Sequence, residues 1–250
     1  MDTIHHLKEN MKKLKLPGMS DALDLREQEA RENDLGYLEF VSLLIQDEIL
    51  NRESNNLEKR IRKAGFNNQC TFEGFDFNFN REVLPPKTIR DLAIGQFVSD
   101  HRNLILCGPP GIGKSHIAQA VGFELCRKGQ AVFFRKTHKL LEQLSDSSYA
   151  KRVQRIWKSA IGAKLLILDD FAFRKYDQRE AEMLYALADE RLGKGSTIIT
   201  SNRPSDDWFS VFPDPVIGGA ILDRFASGAI KIISTKGRSY RKERSYSPRF

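Results

Sequence analysis

Apolar positions over the opening 66 residues recur at helical spacing, whereas later ones gather into short continuous runs. Ile4, Leu7, Met11 and Leu14 fall three or four residues apart and predict one apolar stripe on a helix. Pro17-Gly18 breaks that helix, and Ser20 is the expected cap of a second, which carries Ala22, Leu23 and Leu25. Gly36 marks another interruption before Tyr37–Ile45, and a charged stretch from Asn51 to Lys63 follows. Residues 1–66 therefore read as a small all-helical domain that ends in a basic helix.

From Asn67 to Asp100 the pattern changes. Phe72, Phe75, Phe77 and Phe79 stand in a polar setting and read as anchors of a linker packed on the next domain. Pro85-Pro86 predicts an extended stretch, with a first core helix from Thr88 to Val98. Residues 101–235 then alternate apolar runs with helical patterns. Leu104–Cys107, Ala131–Phe134, Leu165–Leu168, Thr197–Thr200 and Ile230–Ile233 are the strand candidates, and helices starting near Lys114, Thr137 and Arg179 separate the first four. Continuous rather than alternating hydrophobicity fits strands covered on both faces. The class is α/β, a three-layer αβα sandwich on a parallel sheet. Residues 236–250 form a basic tail.

Composition narrows this little. The 250 residues are 40% hydrophobic and 29% charged, ordinary for a globular chain. No apolar run nears the ~20 residues that span a bilayer. Cys70, Cys107 and Cys126 form no C-x-x-C pair, which argues against a zinc site or a disulfide framework and fits the cytoplasm. Net charge is +7, a balance that favours polyanionic partners. Three stretches concentrate it: Lys59, Arg60, Arg62 and Lys63; Lys151, Arg152, Arg155 and Lys158 beside Trp157; and the tail from Arg238 through Arg241 to Arg249. Each is a candidate DNA-backbone contact or else a solvated face. No base-reading motif accompanies them, so binding is expected to tolerate sequence.

The chemistry is concentrated at strand ends. Gly108, Pro109, Pro110, Gly111, Ile112, Gly113, Lys114 and Ser115 match G-x-x-x-x-G-K-[ST], with an apolar strand before and a helix after. Glycines let backbone N–H groups converge on phosphate oxygens, and the helix N-terminus adds partial positive charge. Lys114 is placed to reach the β- and γ-phosphates, and the Ser115 hydroxyl to ligate Mg²⁺. His116, next along, reads by itself as a helix-face residue. Leu165–Leu168 ends in Asp169 and Asp170: the first is expected at the metal, the second as a general base or a simple cap. Thr197–Thr200 leads to Asn202, placed to meet the γ-phosphate. Arg224 follows in Ile221–Phe225, a cation for transition-state charge or a partner of Asp223. No N-K-x-D guanine motif is present, so ATP is the expected nucleotide.

In this order the motifs resemble the AAA+ ATPases, and within them the IstB-like helpers of insertion-sequence transposition, relatives of DnaC-type helicase loaders. Leu14-Lys-Leu-Pro-Gly-Met19, Gly108–His116, Thr200–Pro204, Trp208, Phe212, Ile221–Phe225 and Gly237–Arg241 carry the likeness, which covers nearly the whole chain. The resemblance implies that Gly108–His116 holds ATP, Ser115 and Asp169 serve Mg²⁺, Asp170 and Asn202 are catalytic, and Arg224 is an arginine finger. It also implies ATP-dependent homo-oligomers on duplex DNA that engage the transposase of the same element.

Two departures stand out. Many relatives carry Glu where this chain has Asp170, so slow hydrolysis is expected. The chain ends 48 residues beyond Asn202, too few for the helical lid common in AAA+ proteins. Arg238 or Arg241 is a candidate to stand in for the lid's arginine, and Pro85–Leu92 is a candidate region near adenine. A DnaC-like loader on single strands is the near rival, with a small-molecule P-loop kinase and a non-hydrolysing DNA-binding regulator beyond it.

Overall fold

The computed structural model describes residues 2–66 and 70–246. Asn67, where the linker was expected to begin, and Arg249 of the basic tail lie outside the described residues. The chain divides into two compact units, Met1–Lys59 and Arg60–Phe250, and the division falls within one long helix.

The first unit is built from α1 (Asp2–Lys13), α2 (Pro17–Glu32) and the greater part of α3 (Tyr37–Ala64). Pro17 opens α2 at its first position, where its missing N–H costs no helical bond. Ser20 is not the expected cap: it lies buried inside the first turn, and its N–H bonds to Leu16 O at 3.1 Å. Glu48 does the capping from α3. Its Oε2 accepts from Met19 N–H at 3.2 Å while Oε1 accepts from Arg52 Nε at 2.6 Å. Burial opposes the charge, but those bonds prevail and hold the Glu48 carboxyl below its ordinary value. A Cβ on Gly18 would lie 2.8 Å from Asp47 O and Glu48 Cα, so only glycine lets α2 come this close to α3. The Leu-Pro-Gly-Met turn is thus a packing device, and Arg26 adds a two-point bond to Asp47 at 2.8 and 2.9 Å.

The second unit carries a five-stranded parallel sheet: β1 (Leu104–Cys107), β2 (Val132–Lys136), β3 (Leu165–Asp169), β4 (Ser196–Ser201) and β5 (Ile230–Ile233). Its spatial order is β2-β3-β4-β1-β5. The run between the P-loop strand and the acidic strand in sequence is therefore an edge strand in space, and β4 stands between β1 and β3. Ile105, Cys107, Phe133, Leu166, Leu168 and Ile199 pack into one core with α7 (Thr137–Ser145), α8 (Ala150–Gly162), α9 (Gln178–Arg191) and α10 (Pro215–Ala226). Alternate residues face the other way, toward α6 (Lys114–Arg127), where Gly122 leaves room for Ile167 and Phe66. The three-layer αβα prediction holds.

The helix expected over Thr88–Val98 is cut at Gly95, whose φ of 82° ends α4 (Pro86–Ile94) before α5 (Gln96–Ser99). Arg191 is buried without an acid. It donates to Ala160 O and Ala163 O at 2.8 Å and to Ser196 O at 2.5 Å, tying α9 to the end of α8 and the start of β4. Beyond β5 the described residues hold the seven-residue α11 (Tyr240–Tyr246). Among the described residues no helix is long and apolar enough to cross a membrane.

Candidate nucleotide site

Strand β1 feeds the P-loop, and α6 leaves it with Gly113 as its N-cap. Gly111 and Gly113 take φ of 87° and 111°, backbone that side-chain-bearing residues avoid. Crowding adds to the requirement, since a Cβ on Gly113 would lie 3.1 Å from the Phe75 ring. Lys114 lies buried across the loop, and its Nζ donates to Gly108 O at 2.8 Å, Pro109 O at 2.9 Å and Asn202 Oδ1 at 2.8 Å. Burial pushes its ammonium down to about 8, with Asp169 and Asp170 opposing.

Asp169 ends β3 with its side chain buried. Its Oδ1 accepts from Ser115 Oγ at 2.6 Å and from Thr200 Oγ1 at 2.5 Å. The donor set suits magnesium: an alcohol and a carboxylate, both hard oxygen ligands, at the foot of a phosphate-binding loop. Thr200 also accepts from Asp170 N–H at 3.2 Å, so one β4 hydroxyl holds the Asp169 carboxylate and the Asp170 backbone. Asp170 takes a φ of 54°, and its Oδ2 accepts from Lys136 Nζ at 2.8 Å. Sequence alone assigned neither Thr200 nor Lys136 a role in the site. Their signal was present as a hydroxyl at the end of one strand and a cation at the end of another.

Lys114, Ser115, Asp170 and Asn202 line a cavity of about 300 Å³, and Asp169 reaches it through its bond from Ser115. Gly111 to His116, Asp170 and Asn202 form part of its wall, and Cys70, Phe75, Phe79, Tyr240 and Arg241 form another part. Of the four phenylalanines expected as anchors, Phe75 and Phe79 face the site while Phe72 and Phe77 line a separate groove, and no residue of Pro85–Leu92 lines the cavity. His116 closes against Phe75 with ring centres 5.3 Å apart, and its Nε2 lies 2.9 Å from Thr71 O. Pro109 bears on the site through its carbonyl, and buried Ile112 supports Gly108 from below.

Arg224 is elsewhere. It lies outside this cavity on α10, donates to Asp189 Oδ1 at 2.9 Å and Tyr185 OH at 3.0 Å, and sits over the Tyr185 ring. Its ion-pair partner is Asp189 rather than the adjacent Asp223.

The basic candidates divide. Arg60 donates to Cys126 O at 2.8 Å, capping α6, while Lys59, Arg62 and Lys63 are exposed. Lys63 joins Arg152, Arg155 and Lys158 of α8 and Arg135 of β2 in an open groove of about 830 Å³, and none of its lining residues is acidic. Lys151 is exposed at the start of α8. Trp157 is half-buried and packs on the core, a structural residue rather than a surface ring. Arg238 lies over Phe79 and pairs with Glu243 at 3.2 Å, and Arg241 lines the nucleotide cavity. The two tail arginines thus belong to the surroundings of the nucleotide site, apart from the groove.

Comparison with known proteins matches residues 9–247 to the family described as IstB-like ATP binding protein. An insertion-sequence ATP-binding protein of Mycobacterium tuberculosis is 41% identical, covering 94% of this chain and 93% of its own length. The ATP-binding protein of insertion sequence IS21 from Pseudomonas aeruginosa is 33% identical, over 95% of this chain and 89% of the relative. Among solved structures, the DnaC helicase loader superposes with a TM-score of 0.57 at 20% identity, over 66% of this chain and 96% of that one. AMPPCP-bound DnaA from Aquifex aeolicus gives 0.56 at 20%, over 71% and 53%. These two likenesses show that the second unit shares the fold of those proteins.

Proposed function

The chain belongs to the IstB-like ATP-binding protein family, and we propose that it hydrolyses ATP slowly while assembling on duplex DNA to serve a transposase. In this reading the loop amides and Lys114 hold the β- and γ-phosphates, with Lys114 exchanging Asn202 and two carbonyls for phosphate oxygens. Ser115 and Asp169 hold Mg²⁺, which supplies charge neutralisation at the phosphates. Asp170 takes the proton of the attacking water, and Asn202 orients that water or the γ-phosphate.

The observation that carries the assembly reading is the separation of Arg224 from its own cavity. Arg224 is half-buried on α10 and would exchange Asp189 and Tyr185 for the nucleotide of an adjoining copy; in related chemistry such an arginine accelerates hydrolysis by roughly 10³ to 10⁵. The groove formed by Lys63, Arg135, Arg152, Arg155 and Lys158 supports a DNA backbone as the scaffold for that assembly.

The test is assembly size by light scattering with ATP, a non-hydrolysable analogue or ADP, on duplex or single-stranded DNA. Large complexes that need both triphosphate and duplex support the reading. Monomers under every condition refute it, and a strong single-strand preference replaces it with helicase loading.

A further inference from the structure

The phosphate-binding groups account for only part of the cavity wall, and a triphosphate gives no reason for the aromatic remainder. We propose that Phe75, Phe79 and Tyr240 form a clasp for the base of the nucleotide, closed by the C-terminal segment of the same chain. The proposal rests on the reading of the cavity as an ATP site.

The clasp joins two segments far apart in sequence. Asn80 Nδ2 donates to Arg238 O at 2.8 Å, and Arg238 N–H donates back to Asn80 Oδ1 at 2.8 Å. One side-chain amide thereby pairs with a backbone unit as a neighbouring strand would. The next contact reaches the P-loop itself, where Tyr240 N–H donates to Gly111 O at 3.0 Å. The Tyr240 ring meets Phe79 edge to face with centres 5.0 Å apart, and the Arg238 guanidinium covers Phe79 at 4.9 Å.

Two glycines make this approach possible. A Cβ on Gly111 would lie 2.2 Å from Ser239 Oγ, and one on Gly237 would lie 2.7 Å from Ile112 Cγ2. The segment is thus fitted to the loop at backbone distance. Phe75, Phe79 and Tyr240 are each half-buried, and all three line the cavity. Aromatic rings around a slot beside a phosphate loop suit a planar heteroaromatic ring, which gains by stacking or edge contact with them. Arg241 enters the same cavity one residue further on, so the segment that meets the base also sets a cation near the phosphates. A short strap thereby does locally what a separate helical lid would do.

The experiment is calorimetric titration of the full chain with Mg·ATP and with Mg·tripolyphosphate, which lacks base and ribose. Tyr240→Ala and Asn80→Ala are expected to weaken ATP roughly tenfold, as loss of one base–aromatic contact does. Tripolyphosphate affinity is expected to stay within about twofold, and Tyr240→Phe, which keeps the ring, to retain ATP affinity. ATP, but not tripolyphosphate, is also expected to slow tryptic cleavage at Arg241 and Lys242 in the wild type. The clasp is overturned if Tyr240→Ala binds ATP as the wild type does. It is overturned equally if that variant loses both ligands in parallel, because the segment would then be shaping the P-loop rather than meeting a base. A wild type that binds tripolyphosphate but gains nothing from the nucleoside overturns it too. Failure of the wild type to bind either ligand would instead overturn the ATP reading beneath it.

Discussion

Lys136 Nζ donates to Asp170 Oδ2 at 2.8 Å, so the acid proposed as the base is held by a cation from the edge strand. The same pairing raises the Lys136 ammonium above its ordinary value, chiefly through the hydrogen bond itself. The engaged oxygen must give up the lysine before it can accept from a water, and the next residue back, Arg135, lines the basic groove.

Release of that pair should therefore speed hydrolysis. Lys136→Met is expected to raise ATP turnover without DNA by roughly two- to tenfold, whereas Asp170→Asn should lower it by about 10² or more. Phosphate-release assays check both. A Lys136→Met variant as inactive as Asp170→Asn would show that the lysine supports catalysis instead of restraining it.

Thr200 is the hydroxyl that holds the Asp169 carboxylate and the Asp170 backbone N–H. Thr200→Val leaves Asp169 Oδ1 and Asp170 N–H without that partner, a loss of about 1–3 kcal/mol. The expected result is a higher magnesium requirement for ATP binding, with Thr200→Ser restoring the wild-type value. A magnesium titration unchanged in the valine variant would count against this role.

Lys114 predicts a pH dependence. Burial sets its ammonium at about 8 in the free protein, and bound phosphates favour the charged form, so binding raises that value. ATP affinity is then greatest below about pH 8 and falls as the pH rises above it, because the free protein must take up a proton to bind. Calorimetry from pH 7 to 9.5 reads this directly. Lys114→Ala should abolish both turnover and large complexes on DNA, and ATP-dependent complexes persisting in that variant would refute the assembly switch.

The groove predicts a salt effect. Each cation that meets a phosphate adds about one to the slope of log affinity against log salt. Lys63→Gln with Arg155→Gln should lower that slope by about two on duplex DNA and leave ATP affinity unchanged. Identical slopes would place the DNA on another face.

Glu48 predicts acid sensitivity of the first helical unit. Its folded value is depressed, so its contribution is fully present above the ordinary value of 4.5 and is lost as the pH falls through the lower folded value. Helix melting followed by circular dichroism should show a loss of stability below about pH 4.5 that is smaller in Glu48→Gln.

Local spacing was enough for the parts of the site that are contiguous. Gly108–Ser115 is one loop between a strand and a helix, and Asp169 ends a run so apolar that it had to be an interior strand. The helical opening and the αβα class were legible for the same reason, since periodicity is a property of short windows. Pairings across the fold were not. Thr200 reaches Asp169 because the crossovers insert β4 between β1 and β3, and Lys136 reaches Asp170 because β2 lies in register beside β3. Glu48 displaced Ser20 as the cap because α3 packs backbone-close against Gly18. Phe79 and Tyr240 became walls of the nucleotide cavity, and Lys63 joined α8 in a groove, only when chain segments far apart in sequence were brought together. Sequence determined which groups were available at each strand end, and the order of strands and the close approaches between segments decided which groups share a space. A hydrogen bond depends on distance in space, which local sequence spacing does not encode.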